Sequence, residues 1–413
     1  MKKYLVLLLG VAMLFTVAAC GRDDDEEQEH SQGVTDTTIY IGNTAVTSGG
    51  AGFVGQPFIA AMEAYLNMIN EDGGVFGRDI ELVHRDDGFD GDQGEINTWR
   101  LIDEDEVFAL VGHFGTPTVS TTIDDLNEHG ILRVYYGTGT TTVRNANATS
   151  ATERTSFPVQ PLYEVEGELM VKRAIATLGA ERIGLFETTN DDVGREIRAG
   201  MERAATEHGV ELVVYQEVGF DFNTPATALV AADVDVIIVG GNQFMVPGAI
   251  LALDEAGNEA PVMVSYVAAD ASVVAQVAAV LDNFDVYANA WVNLFDEHDD
   301  FSDEYQLFRD TMATVQDGAY VENNFAVAGW IAAMIFVEGL KRMDPNEAIT
   351  WENYVNAMES DLFEYGMGSP IDYRDGQRLG TQTLSLLQMR FEDEIPYLEL
   401  VEPFEHIDDI LAD

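Results

Sequence analysis

The sequence predicts an α/β protein whose parallel sheets are divided between two lobes. Short apolar runs alternate with helical patterns over most of the chain, which is typical of a parallel sheet covered by helices. Glycines stand where the helices should end, at Gly179, Gly209 and Gly257. Roughly 375 residues follow the polar N-terminal stretch, too many for a single core, so two domains of ordinary size are expected.

The N-terminus has the pattern of an export signal. Lys2 and Lys3 precede an uncharged, mostly apolar run over 4–19, which is short for a membrane span of about 20 residues and fits a signal peptide. The run ends in Val17-Ala18-Ala19-Cys20, which resembles a bacterial lipoprotein box. Cys20 is the only cysteine. We therefore expect a signal peptide over 1–19, lipidation of Cys20 and an acidic tether over 20–36.

The charge is strongly negative, with 73 acidic residues against 21 Lys and Arg and a formal net charge of −52. This composition excludes nucleic-acid binding, which is driven by basic residues neutralising phosphates. It also excludes an electrostatic patch for anionic lipid. Lysine is rare, which indicates an acidic, halophilic-type surface suited to high salt or an alkaline medium.

The first series of elements begins with a strand over 39–46 and a helix over 56–70, whose apolar residues recur at helical spacing. Gly73-Gly74 ends this helix. Further strands, each separated by a helical stretch, are predicted over 80–85, 108–112 and 131–136.

A second series repeats the alternation. Helices are predicted over 164–178, 193–208, 226–232 and 246–256. Strands are predicted over 182–187, 210–215, 234–239 and 262–266. In the last third, residues 322–343 predict a long apolar helix that belongs to the core. Residues 379–402 predict a hairpin with its turn at 392–394.

Motifs for catalysis, metals and cofactors are not found in the sequence. It has no nucleophile elbow, phosphate loop, paired metal-ligand histidines or dinucleotide-binding glycine pattern. We therefore expect no catalytic residue, no metal and no cofactor. The acidic loop at 86–92 resembles a calcium loop, but its fifth and twelfth positions from Asp90 are Gly94 and Leu101, which cannot supply the ligands. Its acids are better explained by the following helix N-terminus.

Hydroxyl-bearing and glycine residues follow three strands of the first series. They lie at 47–50, 115–118 and 137–140. Open parallel sheets bind ligands beyond the carboxyl ends of their strands, and glycines, hydroxyls and free N–H groups there can hold a polar group. Helix capping alone is the alternative explanation. Three such loops in one lobe favour a binding site.

An ordered set of segments resembles the type I periplasmic binding protein superfamily, in the branch of branched-chain amino acid and amide receptors. The resemblance covers residues 37–405. It rests on the segments at 39–42, 69–78, 82–89 and 108–112, followed by Val159-Gln160-Pro161 at the position of the family's first crossing between lobes.

The resemblance implies two Rossmann-like lobes joined by three crossing strands, which close on a ligand by hinge motion. We expect the crossings near 159–163, 286–292 and 366–372. The first lobe would comprise 37–160 plus 290–367, and the second 161–289 plus 368–413. The implied function is solute binding for an ABC importer, with its permease and ATPase subunits as partners and the lipid anchor holding the protein to the outer face of the cell membrane.

The family's pocket maps onto loops of this chain. The candidate ligand-binding residues are Ser48, Phe53, Gly115, Thr116, Thr138, Gly139, Thr140, Tyr163, Asp192, Gln243 and Tyr266. The two positions at which the family usually places acids against an α-ammonium are here Tyr163 and Tyr266. A buried ammonium without an anion is costly. Either Glu164 or Asp192 substitutes, or the ligand is an aromatic or neutral amide-bearing compound.

Two other functions remain open. The same fold could present a ligand to a signalling receptor rather than to an importer. An extracellular hydrolase could use paired carboxylates such as Asp191 and Asp192, although adjacent acids point apart in a strand or a helix and are a weak basis for a catalytic pair.

Overall fold

The computed structural model describes residues 29–188, 192–292 and 302–410, and the predicted signal peptide and Cys20 lie outside these ranges. The strands are Thr38–Ala45 (β1), Asp79–Asp86 (β2), Ala109–Phe114 (β3), Leu132–Gly137 (β4), Ser156–Phe157 (β5), Arg182–Glu187 (β6), Glu211–Gln216 (β7), Val236–Gly240 (β8), Val262–Val264 (β9), Val286–Ala290 (β10), Thr383–Glu392 (β11) and Ile395–His406 (β12). The helices are Gly52–Glu71 (α1), Gly91–Asp103 (α2), Thr116–His129 (α3), Ala151–Arg154 (α4), Tyr163–Ala176 (α5), Asp192–His208 (α6), Asn223–Ala232 (α7), Val246–Glu255 (α8), Ala271–Val277 (α9), Asp303–Met312 (α10), Asn324–Lys341 (α11) and Trp351–Met358 (α12).

The first sheet is parallel and has the order β2-β1-β3-β4-β5. The helices α1 to α4 connect its strands, and α11 packs on α1, β3 and β4. We call this sheet with α1 to α4 and α10 to α12 the first lobe. The helix α11 is long and apolar enough to cross a membrane by length and composition. Most of its residues are buried inside the fold, so the prediction of a core helix is confirmed.

The second sheet repeats the same order in β7-β6-β8-β9-β10, again with parallel pairing. The hairpin of β11 and β12 extends it antiparallel beyond β10. We call this sheet with α5 to α9 the second lobe. Two lobes with parallel sheets match the predicted fold class. Both sheets reverse their strand order at one point, between β1 and β3 and between β6 and β8, where open sheets bind ligands.

The chain passes between the lobes in three places. Residues 158–162 join β5 to α5, and Trp291 and Val292 follow β10. The stretch predicted as a crossing at 286–292 is thus mostly β10, a strand hydrogen-bonded on both sides within the second sheet. In the third place, Thr381 N donates to Val159 O at 2.8 Å just before β11, so the first and third connections lie side by side.

Residues 373–378 lie against the first lobe. The Tyr373 hydroxyl donates to Pro158 O at 2.9 Å, and Arg378 N donates to Asn145 O at 2.7 Å. The boundary predicted at 367/368 places this segment in the second lobe instead. It has no hydrophobic period, and a loop without a period does not show in the sequence which lobe it contacts.

Candidate functional site

Residues on loops after the strands of one lobe contact the other lobe, and we call the region between the lobes the cleft. Gly139 and Thr140, after β4, contact Tyr163 and Glu196 of the second lobe, and Phe244, after β8, contacts Phe89 of the first. Helix N-termini lie at the same edges, because each helix begins where its preceding strand has ended.

Two buried threonines meet at the first-lobe wall. Thr116 Oγ1 and Thr138 Oγ1 are 2.8 Å apart and share one hydrogen bond. Gly115 precedes Thr116 with φ of 93°, a left-handed conformation that glycine adopts without strain. The structure therefore brings Gly115, Thr116 and Thr138 together. Thr138 Oγ1 also accepts from Thr140 N at 3.2 Å, and of the two threonine hydroxyl hydrogens one is used in the shared bond and the other can donate to a further acceptor.

Ser48 lies on the loop after β1 and Phe53 in the first turn of α1, and both are exposed, Phe53 to 48 %. The loop is fastened by Asp86 Oδ1, which accepts from Thr47 N at 2.8 Å and from Ser48 N at 3.3 Å. Within the described ranges, no hydrogen bond or ring contact joins Ser48 or Phe53 to the threonines. They occupy the rim of the cleft rather than its buried wall.

The two tyrosines stack on each other beneath the first-lobe loop. The rings of Tyr163 and Tyr266 are 5.8 Å apart at 21°. Tyr163 N donates to Gly139 O at 2.8 Å, and the Tyr266 hydroxyl donates to Pro161 O at 3.0 Å. A Cβ atom on Gly139 would overlap Pro161 O and the Tyr266 hydroxyl. Gly139 is thus required for the close approach of the two lobes at this point.

Burial raises the pKa of the Tyr266 hydroxyl well above its ordinary range, and the neighbouring Tyr163 and Glu166 add to the rise. Tyr266 therefore stays neutral and is a hydrogen-bond donor at every physiological pH. The stacked pair is almost fully buried, and the Tyr266 hydroxyl is used by its hydrogen bond to Pro161 O.

A glutamate that the sequence analysis missed joins the lobes. Glu196, on α6, accepts from Thr140 Oγ1 at 2.7 Å through Oε1 and from Thr141 N at 2.8 Å through Oε2. Burial raises the pKa of the Glu196 carboxyl, while the hydrogen bonds from Thr140 and Thr141 oppose that rise. Thr140 is a predicted ligand-binding residue, but in the structure its hydroxyl donates to a carboxylate of the opposite lobe.

The two acids proposed as substitutes for the missing anions have different surroundings. Asp192 accepts a 3.5 Å hydrogen bond from Ser120 Oγ of the first lobe and pairs with Arg195 at 2.7 Å. Glu164 pairs with Arg203 of α6, whose side chain is 49 % exposed. Asp192 therefore lies at the cleft, whereas Glu164 is engaged at a surface of the second lobe. The neighbouring Asp191 lies outside the described residues.

On the second-lobe wall, the loop after β8 carries Gln243 and Phe244. Gln243 is only 4 % exposed, and its Oε1 is buried without a hydrogen-bond partner in the part of the chain that the structure describes. A buried amide oxygen without a hydrogen-bond donor costs free energy. A donor group of a ligand at this atom would remove that cost. The Phe244 ring meets Phe89 of the first lobe at 6.2 Å, edge to face.

The acidic loop at 86–92 serves the first lobe as a turn. Asp90 Oδ1 accepts from Gln93 N at 2.9 Å and caps α2, as the sequence predicted. Asp87 accepts from Phe89 N at 3.0 Å and from Thr118 Oγ1 at 2.8 Å. In the described ranges, no group of three or more His, Cys, Asp or Glu side chains could hold a metal ion.

A family model described as periplasmic binding protein matches residues 38–394. The chain belongs to the type I periplasmic binding protein family. This agrees with the resemblance stated from the sequence and with the two lobes of the structure. Members of the family are solute-binding proteins that act outside the cytoplasm.

Periplasmic binding proteins of known structure share the fold over nearly the whole chain. A fatty acid ABC transporter substrate-binding protein from Thermomonospora curvata is similar with a TM-score of 0.78 and 18% identity, covering 94% of this chain and 97% of that one. A branched-chain amino acid transporter substrate-binding protein from Streptococcus pneumoniae, in complex with isoleucine, has a TM-score of 0.70 and 17% identity, covering 89% of this chain and 100% of that one.

Among curated sequences, an amino acid binding protein of Pseudomonas aeruginosa is 23% identical over 206 residues. The match covers 49% of this chain and 54% of that protein, so it spans about half of the relative's length. The solved structures support the fold, the family model supports the family, and the ligand is left open.

Proposed function

We propose that this chain is the extracytoplasmic solute-binding component of an ABC importer, which captures a small ligand in the cleft by hinge closure. The contact of Glu196 with Thr140 and Thr141 is the observation that carries the proposal. It shows that the groups at the strand ends of one lobe reach hydrogen-bond partners on the other. A ligand that bridges the same walls stabilises the closed form by its differential affinity for it.

The ligand class follows from the groups that line the walls. Threonine hydroxyls and helix N-termini suit a carboxylate or carbonyl oxygen, the buried Gln243 Oε1 suits an N–H donor, and the stacked tyrosines suit an aromatic or flat amide group. We therefore propose an amino acid, amide or aromatic carboxylate. Asp192 is the acid placed to meet an ammonium group.

A thermal-shift screen of the mature protein in high salt tests this function. The compounds are L-leucine, L-phenylalanine, benzoate and benzamide. A ligand at 100 times its dissociation constant adds about 2.7 kcal/mol to the free energy of unfolding. We expect an aromatic or amide compound to raise the melting temperature. A shift with L-leucine alone contradicts the role given to the stacked tyrosines as a site for an aromatic or amide group, and hydrolysis of a compound without any shift contradicts the solute-binding function.

The membrane attachment is the second part of the proposal. Cys20 lies outside the described residues, so its support is the signal pattern, the lipoprotein box and the single cysteine. A diacylglyceryl group with a further acyl chain meets the requirement of two chains for stable anchoring. The importer subunits would then meet a binding protein held at the membrane surface.

A further inference from the structure

A fully buried carboxylate lies directly behind the cleft. Glu166, one turn beyond Tyr163 on α5, has no exposed side-chain surface. Its Oε2 accepts from Ser265 Oγ at 2.6 Å. Its Oε1 accepts from Tyr266 N at 2.8 Å and from Asn289 Nδ2 at 3.0 Å. Glu166 therefore fixes the backbone of Tyr266, whose ring stacks on Tyr163 and whose hydroxyl donates to Pro161 O.

A buried arginine continues this network. The guanidinium of Arg173, also without exposed surface, donates to Asn289 Oδ1 at 2.6 Å, to Ser385 O at 2.9 Å and to Leu384 O at 2.8 Å. Asn289 thus bridges Glu166 and Arg173 with both ends of its amide. Arg173 also pairs with Glu402 of β12 at 3.3 Å.

The members of this network stand where the three connections between lobes enter the second lobe. The helix α5 follows the first connection, Asn289 on β10 lies two residues before the second, and β11 with Leu384 follows the third. Replacing a buried ionic network by apolar residues of similar volume is often neutral or stabilising. Stability alone therefore does not explain these charged groups. They form directional hydrogen bonds that fix their neighbours in place, which an apolar core would not do.

We propose that Glu166 is a positioning residue of the cleft, which holds Tyr266 against Gly139 and Pro161 of the opposite wall and ties that placement to the hinge through Asn289 and Arg173. Its effect on ligand affinity rests on the proposed function. Its effect on the position of Tyr266 does not depend on any ligand.

The surroundings of Glu166 make the network sensitive to protonation. Burial raises the pKa of its carboxyl to about 7, although the donors Ser265, Asn289 and Tyr266 N and the charge of Arg173 oppose that rise. The other titratable groups that face the network are tyrosines on the cleft side and acids beyond Arg173: Tyr163, Tyr266, Tyr135, Glu402 and Glu405. Burial raises the pKa of Tyr266 and of Tyr135 well above the ordinary range, so both hydroxyls stay neutral, and Glu166 is the carboxyl that accepts from the Tyr266 amide.

The direct test follows that amide by NMR in ligand-free protein labelled with ¹⁵N-tyrosine, between about pH 5 and pH 9. The Tyr266→Phe variant identifies the resonance by its absence. We expect the Tyr266 amide to titrate in wild type and in the control Glu164→Gln, which changes an acid of the same helix that pairs with Arg203. We expect no titration in Glu166→Gln. The same pH response in Glu166→Gln as in wild type would overturn the proposal.

A second variant keeps the test decisive if Glu166→Gln does not fold. Ser265→Ala removes a donor that favours the ionised carboxyl, so the midpoint of the Tyr266 titration should move to higher pH. An unchanged midpoint in Ser265→Ala contradicts the proposed contact.

The ligand readout uses the four screening compounds. For a compound that binds wild type, we expect the dissociation constant to rise at least about tenfold in Glu166→Ala, to be largely restored in Glu166→Gln and to be unchanged in Glu164→Gln. Equal affinity in Glu166→Ala and wild type overturns the positioning role. If no compound binds wild type, the proposed function fails, and the amide titration still decides this inference.

Discussion

The carboxylate of Glu196 and the hydroxyl of Thr140 lie 2.7 Å apart across the cleft, 56 residues apart in the chain. The second oxygen of Glu196 accepts from Thr141 N at 2.8 Å. One side chain of the second lobe thereby satisfies a hydroxyl and a backbone N–H of the first. The contact exists only when the lobes are close, so its free energy belongs to the closed form.

Removing this contact should open the lobes. Hydrogen bonds to a charged group contribute about 1.5–3 kcal/mol, and about 1.4 kcal/mol is a factor of ten in an equilibrium constant. We expect Glu196→Ala to raise the ratio of open to closed protein at least about tenfold. Because Cys20 is the only cysteine, cysteines introduced at the exposed Asp125 and Glu207 in a Cys20→Ser background report the lobe separation by single-molecule energy transfer.

The matched control is Glu202→Ala, since Glu202 lies on the same helix and pairs with Arg198 within it. It should leave the distribution of lobe separations unchanged. Identical distributions for Glu196→Ala and wild type would show that the contact does not hold the lobes together.

Gly139 should not tolerate a side chain. The new methyl of Gly139→Ala would overlap Pro161 O and the Tyr266 hydroxyl and would lie 3.0 Å from the Tyr163 ring. Overpacking of this kind costs about 1–3 kcal/mol, so the urea midpoint should fall. In Gly50→Ala the methyl meets nothing within 4 Å, and the midpoint should stay near that of wild type. Equal midpoints for the two variants contradict this account of the lobe contact.

The stability of the protein should carry a pH dependence from Glu166. Its pKa is 4.5 as an ordinary carboxyl and about 7 in the folded protein, because burial disfavours the charge. The folded state then binds more protons between these values, so the stability contributed by Glu166 is present below about pH 4.5 and is lost as the pH rises through about 7. At about 1.4 kcal/mol per pKa unit, the loss amounts to at most about 3.5 kcal/mol.

Urea unfolding of wild type and Glu166→Gln near pH 5 and near pH 8 measures this loss. The variant lacks the titrating group, so its stability relative to wild type should increase from the lower to the higher pH. Glu164→Gln is the control and should keep the wild-type dependence. If the free energies of unfolding of Glu166→Gln and wild type differ by the same amount at both pH values, the pKa of Glu166 is not raised.

Lipidation should depend on Cys20 alone. The chain has no other cysteine to accept a diacylglyceryl group. In a bacterial host, Cys20→Ser should lose incorporation of labelled palmitate and move from the detergent phase to the aqueous phase in a phase-partition assay. A serine variant that stays in the detergent phase would contradict the anchor.

Most of the regular elements could be predicted from the sequence because their hydrophobic periods are clear. The strand predicted over 182–187 has the bounds of β6, and the long apolar helix is α11. The strand predicted over 262–266 ends instead at Val264, because Ser265 caps the short turn that begins at Tyr266. The helix α9 was missed, although Asp270, whose side chain accepts from Ser272 N, is a helix-start signal.

Only those parts of the candidate site that lie within single loops could be predicted from the sequence. The threonine loops follow strands, so the topology of a parallel sheet brings them to one edge. Glu196 and Glu166 could not be found in this way, because a glutamate on a helix is ordinarily solvated and their partners are 55 to 123 residues away. The position of Glu164 beside Tyr163 suggests a cleft acid. Successive helix residues point about 100° apart, however, and Glu164 pairs with Arg203 instead.

Calorimetric titration of the mature protein with the compound that raises its melting temperature tests the central claim most directly. We expect one ligand per chain, with the dissociation constant raised at least about tenfold by Thr138→Val in the first lobe and by Tyr266→Ala in the second. The control Thr121→Val changes an exposed threonine whose hydroxyl donates to Pro117 O of its own helix and should bind as wild type does. Saturable binding that neither cleft variant weakens would place the ligand elsewhere and contradict the account.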